Sequence, residues 1–377
     1  MGEPRRRAPD YDALKRECAF RLKLHAPGFS ARETIAPGDG FYDILLGYIE
    51  DDGALMFSDI GGQPEIGWDP ERGHGSIWRR DRSGAMRCLV PAGATGRAMI
   101  LQLRKAPAHY GPWGGHIFYT GQTEPGRPGA TKPHAVFRVS PGAAAPELFV
   151  VMPDNGSVCG GVAGSLMPGC FGRAVGPFAD SLFVYSIMNC TIYRITPDAK
   201  ATPFITLDRP EGPIMPVRID YAPDWWGEAA GELVLHGARN AHFESPRPPP
   251  EAFSYWRISP AGAIEELPKP PTPLRSVQAP AEFGPFGGDV FFVDEGNINL
   301  AQISGCDEHT NALPYGGRIL RWSKKDGVSV FADDFQGSST SLLFDRSRLY
   351  VGLVRKSYCT GEFHEPDASL YEIDFVG

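Results

Sequence analysis

The sequence lacks the features of membrane, exported and disulfide-stabilised proteins. No apolar run approaches the ~20 residues that a membrane-spanning helix requires. The N-terminal stretch MGEPRRRAPDYDALKRECAFRLKL carries charges but no apolar core followed by small residues, so no secretory signal is predicted. The seven cysteines are scattered without CxxC spacing, which argues against a disulfide framework and against a zinc knuckle. These absences predict a cytoplasmic protein with reduced thiols and no membrane partner.

An excess of basic residues is also missing. The formal net charge is −8 and the isoelectric point is about 5.6. Binding to nucleic-acid phosphates needs a basic surface, so no nucleic-acid partner is predicted. The one basic cluster, Arg5-Arg6-Arg7, belongs to a polar tail over residues 1–17 and is expected to be solvated. Residues 18–377 are predicted to form a single domain.

Helical periodicity is the third absence, since no stretch shows a convincing i, i+3, i+4 pattern of apolar residues. Hydrophobic residues make up 42% of the chain, which is enough for a sizeable core. The 45 glycines and 36 prolines interrupt short apolar runs, and such residues mark tight turns. The pattern predicts an all-β protein.

One ten-residue phrase recurs along the chain. Its clearest copies are GSIWRRDRSG (75–84), HAVFRVSPGA (134–143), CTIYRITPDA (190–199) and FSYWRISPAG (253–262). Aligned on the arginine, the copies fall at Arg79, Arg138, Arg194, Arg257 and Arg321, and a sixth copy has Glu372 there. Successive copies are 51 to 64 residues apart, and a period of this length indicates a repeat architecture.

Each copy has the same neighbours: two apolar strand-like segments precede it, and a turn followed by another short strand comes after it. Four strands per unit with little helix is typical of a β-propeller blade, so the sequence predicts a six-bladed β-propeller. The blades are predicted over 40–92, 97–153, 157–208, 213–270, 275–335 and 338–377. The last blade lacks a fourth strand, and we expect residues 18–27 to pair with SLYEIDF and close the ring.

The phrase is interpreted as the third strand of each blade and its exit turn. Its aromatic residue is expected to pack between sheets, and its arginine to bond the neighbouring blade or face solvent. A second repeat, APAHYGPWGG (106–115) and APAEFGPFGG (279–288), is expected to form the hairpin between strands one and two, because glycine and proline suit tight turns.

The first strand of each blade would line the central channel and supply most of the candidate binding residues. These are Arg104, Lys105, Arg218, Arg275 and Gln278. Converging cations would favour an anionic or carboxylate-bearing ligand. The alternative is that these cations pair with nearby carboxylates such as Asp220. Near the lower end of the channel, Glu282 and His109 are candidate acid–base residues.

Long loops between strands two and three are expected on one face, where function usually lies. These loops are 60–75, 121–134, 239–253, 296–317 and 355–368. The segment HGARNAHFES adds the acid–base candidates His236 and His242 and the substrate-binding candidate Asn240. The acidic loop after Asp294 could bind a divalent cation or could simply be solvated.

The segment GDVFFVDEGN, followed by GGRILRWSKKDGVSVFADDF, resembles blades of the gluconolactonase, senescence-marker and strictosidine-synthase superfamily of six-bladed propellers. The gluconolactonase branch implies a metal-dependent lactone hydrolase with one divalent cation (Ca, Mg, Mn or Zn). Partial matches to its ligands are Asp59, Asn155 and Asp294. The strictosidine-synthase branch implies a metal-free condensing enzyme, with Glu282 as the candidate acid–base residue.

Two functions follow as hypotheses. The first is an enzyme that acts on a small, anionic organic molecule in the channel as a hydrolase, lyase or cyclase. The second is a non-catalytic propeller that binds a ligand or a protein, through an exposed apolar rim formed by Trp68, Trp225 and Trp226.

Overall fold

The structure is a computed structural model. It describes residues 22–36, 38–42, 44–59, 61, 75–92, 94, 100, 102–122, 134–143, 145–153, 166–187, 189–241, 250–294, 316–336, 338–354 and 368–377. Within these ranges the chain forms strands and short 3-10 helices. None of the helices in the described ranges is long and apolar enough to cross a membrane.

Twenty-five strands in the described part of the chain form six antiparallel sheets. Two precede the first blade, namely β1 (Lys23–Leu24) and β2 (Phe29–Ile35). Blade one contains β3 (Ile44–Ile49), β4 (Leu55–Asp59), β5 (Ser76–Arg80) and β6 (Met86–Val90). Blade two contains β7 (Arg104–Lys105), β8 (Ile117–Gln122), β9 (His134–Val139) and β10 (Glu147–Val151). Blade three contains β11 (Leu166–Phe171), β12 (Leu182–Ser186), β13 (Thr191–Ile195) and β14 (Ala201–Thr206).

The second half of the ring repeats this order. Blade four contains β15 (Ile214–Tyr221), β16 (Leu233–Arg239), β17 (Phe253–Ile258) and β18 (Ile264–Glu266). Blade five contains β19 (Val277–Gln278), β20 (Val290–Asp294), β21 (Gly316–Ser323) and β22 (Gly327–Gln336). Blade six contains β23 (Ser338–Asp345), β24 (Arg348–Val354) and β25 (Ser369–Phe375). The predicted six-bladed propeller is confirmed.

The first strands of neighbouring blades lie side by side around the centre of the ring. Strand β3 contacts β23 and β7, β11 contacts β7 and β15, and β19 contacts β23. The hairpins between first and second strands are therefore at one end of the channel, and the loops between second and third strands are at the other. Most residues of those loops fall outside the described ranges.

The ring closes through the N-terminal region, as predicted, but with a different segment. Strand β2 pairs with β25, from Phe29 opposite Phe375 to Ile35 opposite Leu370. The closing strand is therefore residues 29–35 and not residues 18–27. The described part of that earlier segment lies against blade five, where β1 pairs with β22. Phe29 packs on aromatic rings of blade five, Phe283 at 4.9 Å and Phe286 at 5.3 Å.

The repeated phrase forms the third strand of every blade, as expected. Its aromatic residues pack between sheets: Trp256 is 5% exposed and belongs to a core shared by blades three and four. Burial of such a side chain contributes about 1.5–3 kcal/mol. The arginines instead pair mainly with carboxylates of their own blade, as Arg194 does with Asp180 at 2.8 Å and Arg257 with Glu265 at 2.6 Å.

The second repeat forms the hairpin between strands one and two in blades two and five, as expected. Blade four has the same hairpin over 222–232, although its sequence, APDWWGEAAGE, hides the likeness. In all three hairpins the first alanine accepts one backbone hydrogen bond and donates another across the turn. The fifth residue is a buried aromatic side chain: Tyr110, Trp226 and Phe283. His109 and Glu282 are thus equivalent positions on the hairpin end of the ring.

Candidate functional site

An ion pair joins two blades that are not neighbours in the ring. Arg104 of β7 donates to Asp220 of β15 at 3.2 Å, and Arg218 donates to the same carboxylate oxygen at 2.9 Å. Because the first strand of blade three, β11, lies between these two strands in the ring order, the pair lies across the channel. Both Arg104 and Asp220 lie two residues before a hairpin begins, which puts the pair toward the hairpin end.

Arg218 is the most shielded of these groups. Burial lowers its pKa to about 10; Asp220 raises that pKa, whereas Arg104 and Arg275 lower it. The guanidinium stays charged at neutral pH. The Nε atoms of Arg104 and Arg218 are buried and have no hydrogen-bond partner among the described residues. A buried charged donor without an acceptor is costly, so each guanidinium keeps one donor that the described residues do not satisfy.

Arg275, which precedes β19 of blade five, completes the cation cluster of Arg104, Arg218 and Arg275. Its charge acts on Arg218, on His236 and on Tyr185. The Tyr185 hydroxyl donates to the carbonyl of Val217 at 2.5 Å and so ties β12 to β15. The cluster holds three cations beside one carboxylate, Asp220, and therefore carries an excess of two positive charges among these four groups.

His236 lies at the edge of the cation cluster. It sits directly opposite Arg218 in the pairing of β15 with β16, and opposite Tyr255 in the pairing of β16 with β17. Its ring stacks on Tyr255, with centroids 4.5 Å apart and planes at 14°. Burial and, to a smaller extent, the charges of Arg275 and Arg218 lower the pKa of His236 to about 4. The imidazole is neutral at pH 7 and offers one donor and one acceptor nitrogen.

Three other predicted binding residues do not join the cation cluster. Lys105 is paired with Glu50 of blade one at 2.5 Å. The carboxylate that the alternative hypothesis named, Asp220, pairs with Arg104 and Arg218 instead. The Gln278 side chain is exposed and donates to the carbonyl of Gly288 at 2.9 Å. Asn240 is exposed at the end of β16, with a positive φ of 51°.

The acid–base candidates His109 and Glu282 lie on the hairpins and apart from His236. His109 Nε2 is 2.8 Å from the carbonyl oxygen of Gly172, a contact between blades two and three. Glu282 is exposed on the hairpin of blade five. The hydrogen-bond contact with Gly172 gives His109 a structural role. The structure does not bring His109 or Glu282 together with His236.

The predicted metal ligands are only partly visible. The Asp59 carboxylate is buried and accepts hydrogen bonds from the backbone N–H groups of Tyr42, at 3.0 Å, and Gly61, at 3.3 Å. Asn155 and His242 lie outside the described residues, as does the side chain of Asp294. No group of three His, Cys, Asp or Glu side chains suited to a metal ion occurs among the residues that the structure describes. The divalent-cation site stays a prediction.

A surface cleft of about 640 Å³ lies apart from the cation cluster, between the hairpins of blades three and four. Its lining includes Arg173, whose guanidinium lies 4.9 Å above the ring of Tyr221, and Val175, which is 89% exposed. The other arginine of the cleft, Arg257, is paired with Glu265 and Glu232. The cleft is open and largely charge-balanced, so it suits binding better than chemistry.

The apolar rim predicted from three tryptophans is wrong for one of them. Trp226 is 8% exposed, and the indole N–H groups of Trp225 and Trp226 both donate to Thr272 Oγ1, at 2.8 and 3.3 Å. Trp68 lies outside the described residues.

The sequence reasoning also missed Tyr255, although it directly precedes the aromatic residue of the repeated phrase. Strand alternation from Trp256 puts Tyr255 on the opposite face of the sheet.

No protein-family model matches the chain, and no curated protein matches it. Solved structures do match over nearly the whole chain. A catalytically inactive variant of virginiamycin B lyase from Staphylococcus aureus, with a histidine replaced by alanine and quinupristin bound, has a TM-score of 0.50 and 14% identity, covering 92% of this chain and 99% of that one. The GH93 α-L-arabinofuranosidase of Fusarium graminearum with arabinobiose has a TM-score of 0.50 and 12% identity, covering 92% and 97%. A glucose dehydrogenase has a TM-score of 0.50 and 11% identity, covering 91% and 98%. The shared feature is the fold.

Proposed function

We propose that this propeller is an enzyme that binds a small anionic organic molecule in its channel and acts on it by acid–base chemistry, as a lyase, hydrolase or cyclase. The observation that carries the proposal is the cation cluster, in which Arg104 of blade two and Arg218 of blade four both contact Asp220 and the charge of Arg275 of blade five acts on Arg218. Among these four described groups the positive charges outnumber the one carboxylate, Asp220, and the Nε atoms of Arg104 and Arg218 have no hydrogen-bond partner in the described part of the chain.

The cation cluster favours a carboxylate or phosphate group on the ligand. A hydrogen bond to a charged group contributes about 1.5–3 kcal/mol. Two or three such bonds to the guanidinium groups would sum to about 3–9 kcal/mol. Before the costs of association are subtracted, this sum corresponds to a Kd from about millimolar to micromolar, and afterwards to the weak end of that range. Arginine suits this role because its planar donors match both groups geometrically.

His236 is the acid–base residue of the proposal. As a neutral imidazole it can accept a proton from a carbon next to the bound anionic group. The electrons of that C–H bond form a double bond, and the bond to the leaving group breaks with its electron pair. The imidazolium of His236 then returns the proton to the leaving group. The cation cluster would stabilise the negative charge that develops in between. Hydrolysis of a lactone would use the same base on a water molecule.

The similar structures support an enzyme in general terms. The fold accommodates a lyase and a glycosidase, and the staphylococcal lyase is inactive when a histidine is replaced by alanine. The sequence resemblance to the gluconolactonase and strictosidine-synthase superfamily points in the same direction. Its lactonase version would add a divalent cation near Asp59, Asn155 and Asp294.

We expect the enzyme to work in the cytoplasm, where Cys88, Cys170 and Cys190, which are free thiols, stay reduced.

The test is a panel of carboxylate-bearing esters, lactones and β-substituted acids, assayed for turnover with the full chain and with His236→Gln. We expect turnover of at least one anionic member and a fall of 100-fold or more in the variant, in line with the usual contribution of a general base. Neutral analogues should react poorly. Equal turnover by both proteins, or turnover of neutral analogues alone, would refute the proposal.

A second candidate function, a non-catalytic propeller that binds a partner, is favoured by the cleft between blades three and four. Val175 is highly exposed at its rim, and Arg173 has no acidic partner among the described residues. A peptide with an acidic group beside an apolar side chain fits this chemistry. Binding that is lost in Val175→Asp and unchanged in His236→Gln would favour this candidate over the enzyme.

A further inference from the structure

Two arginines of the cation cluster act on the side chain that would accept the proton. Arg218 is the direct cross-strand neighbour of His236, and the charge of exposed Arg275 of blade five also acts on the imidazole. The stack on Tyr255 fixes the plane of the imidazole, and a second ring, Phe253, lies 5.9 Å away. The His236 side chain is only partly buried.

The charge balance of this site suits a ligand of a particular charge. Three arginines face one carboxylate, and that carboxylate already accepts from both Arg104 and Arg218. Two positive charges remain without a counter-charge among these groups. A ligand with two negative charges, such as a phosphate monoester or a dicarboxylate, would balance them, whereas a monocarboxylate would leave one in excess.

We propose that the ligand of this site carries two negative charges, and that these charges convert His236 from a weak into an effective proton acceptor. This inference rests on the proposed function, because it assigns the substrate class and the activation step of the same site. Binding of the substrate would thereby make His236 a stronger base.

The physical reason is electrostatic. In the ligand-free protein the positive charges of Arg275 and Arg218 oppose protonation of His236, as does burial, and its pKa is about 4. A base this weak accepts protons poorly at neutral pH. A dianion held by the same arginines offsets their field at the imidazole. It favours the imidazolium directly as well, since opposite charges within ~4–6 Å stabilise the charged form.

The groups that face His236 come from three elements. They are Arg218 on β15, Tyr255 on β17, and Arg275 before β19. Burial raises the pKa of Tyr255 to about 12, so this residue is neutral and does not compete as a charge at neutral pH. The two arginines remain the charges through which a bound anion would act.

The chain contains an internal control. Burial also lowers the pKa of His134 to about 4, but no charged group contributes to that shift. His134 begins β9 of blade two and belongs to another part of the ring. A bound anion in the cation cluster should therefore move the titration of His236 and leave that of His134 unchanged.

The experiment is an NMR pH titration of the full chain labelled with ¹³C-histidine. His236→Gln and His134→Gln assign the two signals. The probes are sulfate, a dianion, and nitrate, a monoanion, at matched ionic strength; both keep their charge between pH 4 and 8. Calorimetry measures binding of each anion in parallel.

We expect sulfate to raise the pKa of His236 by at least about one unit, nitrate to raise it by clearly less, and neither to move His134. Arg275→Gln should raise the pKa of His236 without any anion, and Arg218→Gln should weaken sulfate binding. An unchanged His134 signal shows that each variant is folded.

Failure of this inference and failure of the proposed function give different results. If sulfate binds and His236 does not respond, or if nitrate acts as strongly as sulfate, the inference is overturned and the anion-binding part of the proposed function stands. We expect a Kd in the millimolar range from the charges of the cation cluster. If neither anion binds there at concentrations up to about 50-fold above that Kd, the inference and the proposed function both fail.

Discussion

The guanidinium of Arg32, in the N-terminal strand, donates to the carboxylate of Glu372 in the last blade at 2.6 Å. Glu372 is fully buried and also lies 2.6 Å from Arg80 of blade one and 2.9 Å from Arg348. One carboxylate thus joins the two ends of the domain and the first blade. It occupies the position where the other five copies of the repeated phrase carry an arginine.

Glu372→Gln should destabilise the protein more than any surface change. The substitution leaves Arg80, which is only 8% exposed, without its counter-charge. Removing one partner of a buried ion pair costs about 3–5 kcal/mol. We expect the urea midpoint of the full chain to fall accordingly.

The matched control is Glu265→Gln, which removes the partner of exposed Arg257 in blade four. Exposed pairs contribute about 0–1 kcal/mol, so this midpoint should hardly move. Equal midpoints for the two variants would show that Glu372 does not hold the ring together.

Arg218→Gln should weaken the binding of sulfate or of an anionic substrate by about 10- to 100-fold. This range corresponds to the loss of one charge-assisted hydrogen bond of about 1.5–3 kcal/mol. Calorimetry measures the change. Arg194→Gln makes the same chemical change at an arginine paired with Asp180, outside the cation cluster, and should leave affinity unchanged. A loss of affinity in both variants would point to net charge rather than to the cluster.

Tyr255→Leu should lower kcat about 3- to 10-fold with little change in KM, because an aromatic stack contributes about 0.5–1.5 kcal/mol to holding the His236 ring. Tyr255→Phe keeps the stack and should retain most of the activity. Trp226 packs edge-on against Tyr255 at 5.3 Å and supports either ring. Because Tyr255 acts through His236, the pH–rate profile should also shift in the leucine variant. An unchanged profile with lower kcat would indicate a merely structural role.

Stability should fall as the pH is lowered from about 6.5 to 4. His236 and His134 have folded-state pKa values of about 4, against an ordinary value of 6.5. Between these values the unfolded chain binds more protons than the folded one, so acid favours unfolding. The loss is about 3 kcal/mol for each histidine by pH 4.

The measurement is the midpoint of urea unfolding between pH 4 and 7 in a cationic buffer without sulfate or phosphate. The double variant His134→Gln/His236→Gln should show a clearly flatter dependence over this range. A slope as steep as that of the unaltered chain would mean that other groups control acid unfolding. Added sulfate should recover part of the loss through His236 alone.

Strand positions were the most predictable part of the fold. The repeated phrase located all six third strands, because each copy is an apolar strand-like segment with an arginine or Glu372 at the same position, and copies recur every 51 to 64 residues. The prediction of 18–27 as the closing strand is wrong: it follows from a strand-like segment that no blade claims, next to a last blade that lacks its fourth strand. The strand that closes the ring, FSARETI, is mostly polar and exposed, since it pairs on an outer edge and is held by backbone hydrogen bonds and by Arg32.

The candidate site was only partly predictable. Arg104, Arg218 and Arg275 follow from the expectation that first strands line the channel. Strand alternation puts Lys105 on the opposite face from Arg104, but its partner, Glu50 of blade one, could not be read from the chain because the two are distant in sequence. His109 and Glu282 hold the same position of a repeat that the sequence already assigns to a hairpin; only its third copy, in blade four, emerged from the backbone.

The sequence by itself determined the number of blades and the strands of each, because a module copied at a fixed period must bury its apolar residues in the same way every time. The tertiary structure alone decided which charges meet. Arg104 and Asp220 are 116 positions apart in the chain, and no local pattern relates them. They lie 3.2 Å from each other because the ring brings the first strands of blades two and four, on either side of blade three, close together around its centre.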